Sequence, residues 1–234
     1  MKKYTAALLL GLLLVATTAM AKDLGIEQVI ALISHVPESD YRGASDEEYA
    51  YIAKHFKKDM LRSLFVVVEA ADYKEHSGMA WWSIGVIGAL EPGAVSAKQL
   101  TETIERVAAQ QSYRERFPTY MTGYSALARC GGSAAADYLL KRAVLSGWKS
   151  EVPPPGDPGL PTPELLLLYR RAAITALGLT AAPKIHDILL RLKESKDLVE
   201  PEIQAAVDAA LDSLESEKNF KSKAAAARLK LLKP

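Results

Sequence analysis

The side chains able to do chemistry are few and scattered. Four histidines, His35, His55, His76 and His186, stand in separate segments. A zinc or proton-transfer site needs such rings to converge, either as His-Glu-x-x-His on one helix face or as a Cys/His cluster, and neither spacing occurs. His186 and Asp187 fall on the polar side of an amphipathic stretch and read as solvated. Cys130 is the only cysteine, so no intrachain disulfide can form. Its setting, Ala126-Leu127-Ala128-Arg129-Cys130, is that of a small core residue, with nothing adjacent to depress a thiol pKa. Ser125 lies in Gly123-Tyr124-Ser125-Ala126-Leu127, which lacks the last glycine of a nucleophile elbow and belongs to a helical pattern. Gly131-Gly132 suits a helix C-cap rather than a phosphate cradle, and Glu47-Glu48 suits a first helical turn, where the dipole favours acids. The sequence therefore predicts no catalytic centre, metal or cofactor.

Features suited to binding are more distinctive. Gly147 to Pro163 begins Gly147-Trp148-Lys149 and continues through Pro153-Pro154-Pro155 to Pro161. Consecutive prolines favour a stiff, extended chain. Such a segment either packs over the helices, with Trp148 filling an apolar gap, or presents Trp148, Pro153, Pro154 and Pro155 to a partner at low entropic cost. Trp81 and Trp82 are neighbours, about 100° apart on a helix, and cannot fill one core site. Tyr113, Tyr120, Tyr124, Tyr138 and Tyr169 either cap an alanine-rich core or line an aromatic binding face. Tyr120, Tyr124 and Arg170 join Trp148 as candidate partner contacts. Residues 217–234 hold Lys218, Lys221, Lys223, Arg228, Lys230 and Lys233 against one acid, with Phe220, Ala224, Ala227 and Leu231 at helical spacing. A basic amphipathic helix of this kind either caps the end of the fold or touches an anionic membrane through Lys218, Lys221, Lys223, Arg228 and Lys230.

The elements that must position these residues are helices. Period-two alternation is almost absent, whereas apolar residues recur at helical spacing in segment after segment. From Pro183 on, Ile185, Ile188, Leu189 and Leu192 share one face and Lys184, Asp187, Arg191 and Glu194 the other. Another helix turns Leu100, Ile104, Val107 and Ala108 inward and Glu102, Glu105 and Arg106 outward. Ser96-x-x-Gln99 and Ser45-x-x-Glu48 are capping boxes, and Thr162-Pro163 places a capping hydroxyl before proline at the first helical position. Between these amphipathic helices lie others that are apolar on several faces: Met79 to Leu90, Tyr120 to Cys130 and Leu165 to Leu177. A helix of that kind must be covered on several faces, so the alternation predicts stacked helix pairs.

The enclosed helices share an ending. Gly88-Ala89-Leu90, Ser125-Ala126-Leu127, Thr175-Ala176-Leu177 and Ala209-Ala210-Leu211 place their leucines 37, 50 and 34 residues apart. Removing roughly 15 residues for the proline-rich stretch brings the long interval to about 35, the kind of period a helical solenoid shows. Arg170-x-x-Ala173-x-x-Ala176-Leu177-Gly178, followed by the amphipathic Pro183-to-Leu192 helix, resembles the junction between two HEAT repeats. The resemblance covers roughly residues 59–216, and its period is nearest the short HEAT-like repeats of phycobilisome lyases. It implies a right-handed α-solenoid of about four to five stacked antiparallel helix pairs, with the arginine tying an inter-helix turn. The units ending at Leu127 and Leu90 depart from the pattern, with Tyr120 and Ser83 at the arginine position. Lyase chemistry is not implied, since no second cysteine or pigment context accompanies the repeats.

The N-terminus completes the outline. Lys2 and Lys3, an apolar run from Ala6 to Val15 and Ala19-Met20-Ala21 have the form of a secretory signal peptide cleaved after Ala21, which places the expected destination in the periplasm or outside the cell. Its apolar run is shorter than the roughly 20 residues that span a bilayer. Cleavage leaves 27 basic against 28 acidic residues, which gives no general attraction to nucleic acid. The expected organisation is a signal peptide over residues 1–21, N-terminal capping helices over 22–58, repeats over 59–216 with a proline-rich insertion at 148–163, and a basic capping helix over 217–234. The expected role is non-catalytic, holding a protein or peptide partner; the alternative is a structural envelope component resting on the membrane through its basic tail.

Overall fold

The computed structural model describes residues 24–36, 46–71, 77–90, 97–149, 161–180, 184–195, 198 and 200–215. Among these residues the structure is all-helical: ten α-helices and two 3-10 turns, with no strand. In chain order they are α1 (Leu24–Ile33), α2 (Asp46–His55), a 3-10 turn (Lys58–Met60), α3 (Leu61–Ala70), α4 (Ser77–Ala89), α5 (Ala97–Ala108), α6 (Arg116–Cys130) and α7 (Gly132–Ala143). A second 3-10 turn (Leu145–Gly147), α8 (Pro163–Leu179), α9 (Ile185–Lys193) and α10 (Pro201–Glu215) follow. Residues 1–21, where the sequence leads one to expect a signal peptide, Pro153, Pro154, Pro155 and the basic tail lie outside the described residues, as do Ser45, Ser96 and Pro183.

Local signals set the helix ends. The Thr162 hydroxyl accepts the Leu165 N–H, and Pro163 occupies the first helical position, where no N–H is needed. Gly131 closes α6 at φ 72°, a left-handed conformation that glycine adopts without Cβ strain, and its N–H reaches the Leu127 carbonyl. α9 starts at Ile185, two residues after the proline, because Lys184 takes a left-handed conformation (φ 61°) at its N-cap. From there Ile185, Leu189 and Leu192 are buried and Asp187, Arg191 and Glu194 exposed.

Helices alternate between two layers. α4, α6, α8 and α10 pack side by side in that order, while α3, α5, α7 and α9 each lie against the next helix in the chain. α5 also touches α7, and α1 and α2 reach α4 at the N-terminal end. Small residues near the shared helix endings make the side-by-side row possible. A Cβ on Gly88 would stand 2.4 Å from the Ala126 Cα, and one on Gly178 would stand 2.7 Å from the Ala210 Cα. The alanine before the terminal leucine in α6 and α10 thus receives a glycine of the preceding helix in the row, at a separation no larger side chain allows.

Between first-layer helices, ion pairs repeat at one spacing. Arg106 bonds Glu69 at 2.9 Å and Arg142 bonds Glu105 at 2.5 Å, each pair 37 residues apart. That is the interval between Leu90 and Leu127. The first pair is about half exposed and contributes roughly 0–1 kcal/mol. In the second, the arginine side chain is buried, at 6% exposure, and removing its partner would strand a charge away from water.

Candidate functional site

Most of the aromatic side chains named in the sequence meet at one place, and that place is closed. Trp148 follows the Leu145–Gly147 turn rather than sitting on an open loop, and it is fully buried. Gly147 permits this, since a Cβ there would stand 1.8 Å from the Lys141 carbonyl oxygen. The indole stacks on Tyr169 of α8, with centroids 5.3 Å apart and planes within 14°. Tyr120 of α6 meets both rings edge-on, at 5.8 Å and 5.1 Å. Tyr124, one turn along α6, stacks on Tyr120 at 5.3 Å, and the Tyr169 hydroxyl donates to the Tyr113 carbonyl.

Arg142 forms the polar lid of this cluster. Its guanidinium lies 4.7 Å from the Trp148 ring centroid and 5.5 Å from those of Tyr120 and Tyr138, while the Trp148 Nε1–H donates to the Arg142 carbonyl at 2.9 Å. Glu105 accepts from Arg142 and from the Tyr138 hydroxyl. Burial alone would lower the Arg142 pKa, but facing Tyr138, Tyr124, Tyr120 and Glu105 outweighs it, and the net shift is upward. Burial likewise pushes the Tyr124 and Tyr138 hydroxyls well above the usual phenol range. The Tyr124 hydroxyl is buried with no hydrogen-bond partner. Arginine over aromatic faces, a carboxylate and a stacked tryptophan fasten α5, α6, α7 and α8 together; every acid–base group is already committed to a neighbour or is a neutral phenol, so the cluster offers no substrate a reacting group.

Arg170 has a similar fate. It is 2% exposed, donates from Nε to the Ala143 carbonyl at 3.0 Å, and grips Glu200 through Nη1 at 2.6 Å and Nη2 at 3.3 Å. The bonded arginine holds the Glu200 carboxyl below the ordinary carboxylate range. Seven residues before the last shared leucine, in the place Arg170 holds before Leu177, stands Gln204, and its amide donates to the Lys193 and Leu198 carbonyls. In these two units the position ties turns between helices, whereas Ser83 bonds Met79 within its own helix and Tyr120 lies in the aromatic cluster.

The sequence offered Trp148, Tyr120, Tyr124 and Arg170 as partner contacts, and the structure corrects their placing: all four are core side chains at 2% exposure or less, with no surface to present. Trp148 fills an apolar gap, the other of its two expected roles. Glu105, expected to point outward, is turned into the cluster by Arg142 and Tyr138. The described histidines stay apart, His35 after α1, His55 in α2 against Tyr51, and His186 beside Asp187 in α9. Among the described residues no group of three or more His, Cys, Asp or Glu could hold a metal ion, and no helix is long and apolar enough to cross a membrane. Burial raises the Cys130 thiol pKa, away from the reactive thiolate.

An aromatic side chain on α4 also reaches the surface in a fixed pose. Trp81 of α4 is partly exposed, and its Nε1–H donates to Thr119 Oγ1 at 2.9 Å; that hydroxyl donates in turn to buried Gln111 Oε1 at 2.9 Å. Beside it on α4, Gly85 contributes no side chain, and its carbonyl accepts from Arg129 of α6 at 3.3 Å. On α8 the exposed stripe is Glu164, Leu168, Arg171 and Thr175. Arg142, Glu105 and Trp81 are the residues that spacing could have singled out, the first two by their separation of 37 and the third by its adjacency to a second tryptophan. No family model, no curated protein and no solved structure matches the chain.

Proposed function

We infer that this chain is a non-catalytic binding or adaptor protein, exported to the periplasm or beyond, that holds a protein or peptide partner on a helical-repeat surface. In this reading the pairs α3/α4, α5/α6, α7/α8 and α9/α10 are HEAT-like repeats of a right-handed solenoid, preceded by α1 and α2 as caps. The observation that carries it is Trp81. Its indole N–H is already satisfied by Thr119, so the ring shows a partner only its apolar face, at little entropic cost. A pre-ordered, partly exposed tryptophan is the residue type that most often anchors an interface. The interior supports the same reading, because the buried aromatic and arginine side chains stiffen the scaffold on which such an anchor stands.

The test is recovery of partners from periplasmic extract by the protein and by Trp81→Ala, with circular dichroism and melting showing that both are folded. Loss of one defined partner with Trp81→Ala is expected. Undiminished recovery of that partner would remove Trp81 as the anchor. A second reading, a structural envelope component held to the membrane by Lys218, Lys221, Lys223, Arg228 and Lys230, is favoured by the concentration of basic residues in the tail. Flotation with anionic vesicles at low salt tests it, and no binding would end it.

A further inference from the structure

α10 is the last described helix of the row formed by α4, α6, α8 and α10, and one of its sides is left open. The shared endings give the register between α8 and α10: Leu177 corresponds to Leu211, which places Gly178 in register with Asp212 and Ile174 with Asp208. In α8 this side is covered. Gly178 lies against the Ala210 backbone, and Ile174, one turn earlier, is fully buried. In α10 the corresponding residues Asp208 and Asp212 are exposed, with Ala205 and Ala209 exposed between and beside them. Acids thus stand where α8 has an apolar seat for the next helix, while Ala205 and Ala209 are in register with Arg171 and Thr175 of the exposed stripe of α8. α10 contains no Lys or Arg, and Lys193 of α9 already reaches across to Asp208 at 2.7 Å.

The chain itself supplies the matching piece. It leaves α10 at Glu215, within one turn of Asp212, and runs into residues 217–234, with six basic residues against one acid and Phe220, Ala224, Ala227 and Leu231 at helical spacing. Eighteen residues in helical form would reach about 27 Å, longer than the roughly 17 Å of α10 between Pro201 and Asp212. We propose that residues 217–234 dock on the open side of α10 as the next member of the row, with their lysines toward Asp208 and Asp212. The occupant is this chain's own tail. Opposite charge and immediate continuity favour it over a separate molecule.

Limited trypsin digestion tests the docking, because the tail is rich in lysine and a docked segment must open before it is cut. Cleavage within residues 217–234 of the purified protein is compared, by mass spectrometry, with cleavage of a synthetic peptide of the same sequence. Docking predicts cutting about tenfold slower or more in the protein at low salt, and a return toward the peptide's rate both in Asp212→Lys and at about 0.5 M salt. Asp212→Asn should fall between. Circular dichroism of each variant controls for folding, which an exposed position on α10 leaves intact. Cutting at the peptide's rate would overturn the proposal. So would protection that neither salt nor Asp212→Lys changes. Protection that rises with protein concentration alongside a dimer mass in light scattering would also overturn it, because the tail would then cover a second copy.

Discussion

Trp148 stacks on Tyr169 with their planes 14° apart, although 20 residues and the proline-rich stretch separate them in the chain. The stack closes the junction between α7 and α8, and its indole N–H bonds the Arg142 carbonyl. Trp148→Ala should therefore behave as a core truncation. It is expected to cost about 3–5 kcal/mol, read as a lower urea midpoint at unchanged slope. A loss under 1 kcal/mol would mean the indole is not packed as described.

Two glycines of α4 should respond in opposite directions to the same change. Gly88→Ala drives a methyl into the Ala126 backbone, which cannot rotate away, and is expected to destabilise by about 1–3 kcal/mol or more. At Gly85 the added methyl meets only Thr122 Cγ2 at an ordinary 3.6 Å. Gly85→Ala should be neutral or stabilising by about 0.5–1 kcal/mol, since alanine loses less backbone entropy in a helix. Melting temperatures of the two variants, measured side by side, check the contrast.

Buried phenols give a second opposed pair. Tyr124→Phe removes a hydroxyl that is buried without a partner, so stability should hold or rise by up to about 1 kcal/mol. Tyr138→Phe removes a donor to the Glu105 carboxylate and should cost about 1–3 kcal/mol. Chemical denaturation of both decides whether Tyr138, rather than Tyr124, carries the polar end of the cluster.

Acid should loosen the link between α8 and α10. The folded-state pKa of Glu200 is lowered by Arg170, so the pair's contribution is complete above the unfolded carboxylate pKa, about 4.3, and is lost as pH falls through the lower folded value. Glu200→Gln should lower stability at neutral pH and flatten its fall in that acid range. A stability profile between pH 2 and 7 identical to that of the unchanged protein would remove the pair from the account.

Helices and their ends were legible in the sequence because they depend on neighbours one turn away. The α9 face, the Thr162 cap and the Gly131 stop all stand where spacing placed them, while α9 starts later through the left-handed Lys184 and α4 and α6 start earlier than their apolar stretches, at Ser77 and Arg116. The small-Ala-Leu endings were legible as a repeat, and Gly88 on Ala126 and Gly178 on Ala210 show that helices approach closely near them. Glu105 shows where this kind of reading stops. A helical wheel assigns it the polar side but does not say that Arg142 lies there to receive it.

What the sequence determined alone is therefore an all-helical chain of alternating amphipathic and enclosed helices, since helical periodicity and capping are local properties. What the tertiary structure decided is which distinctive side chains face inward. Trp148, Tyr120, Tyr124 and Arg170 carry the marks of recognition residues, being large, aromatic or charged, and the same marks suit a buried junction. Residue type does not separate the two, because both uses reward area and a polar tip with a partner. The separation comes from the row of second-layer helices, which brings α6 and α8 around Trp148 and leaves Trp81 on α4 in reach of solvent.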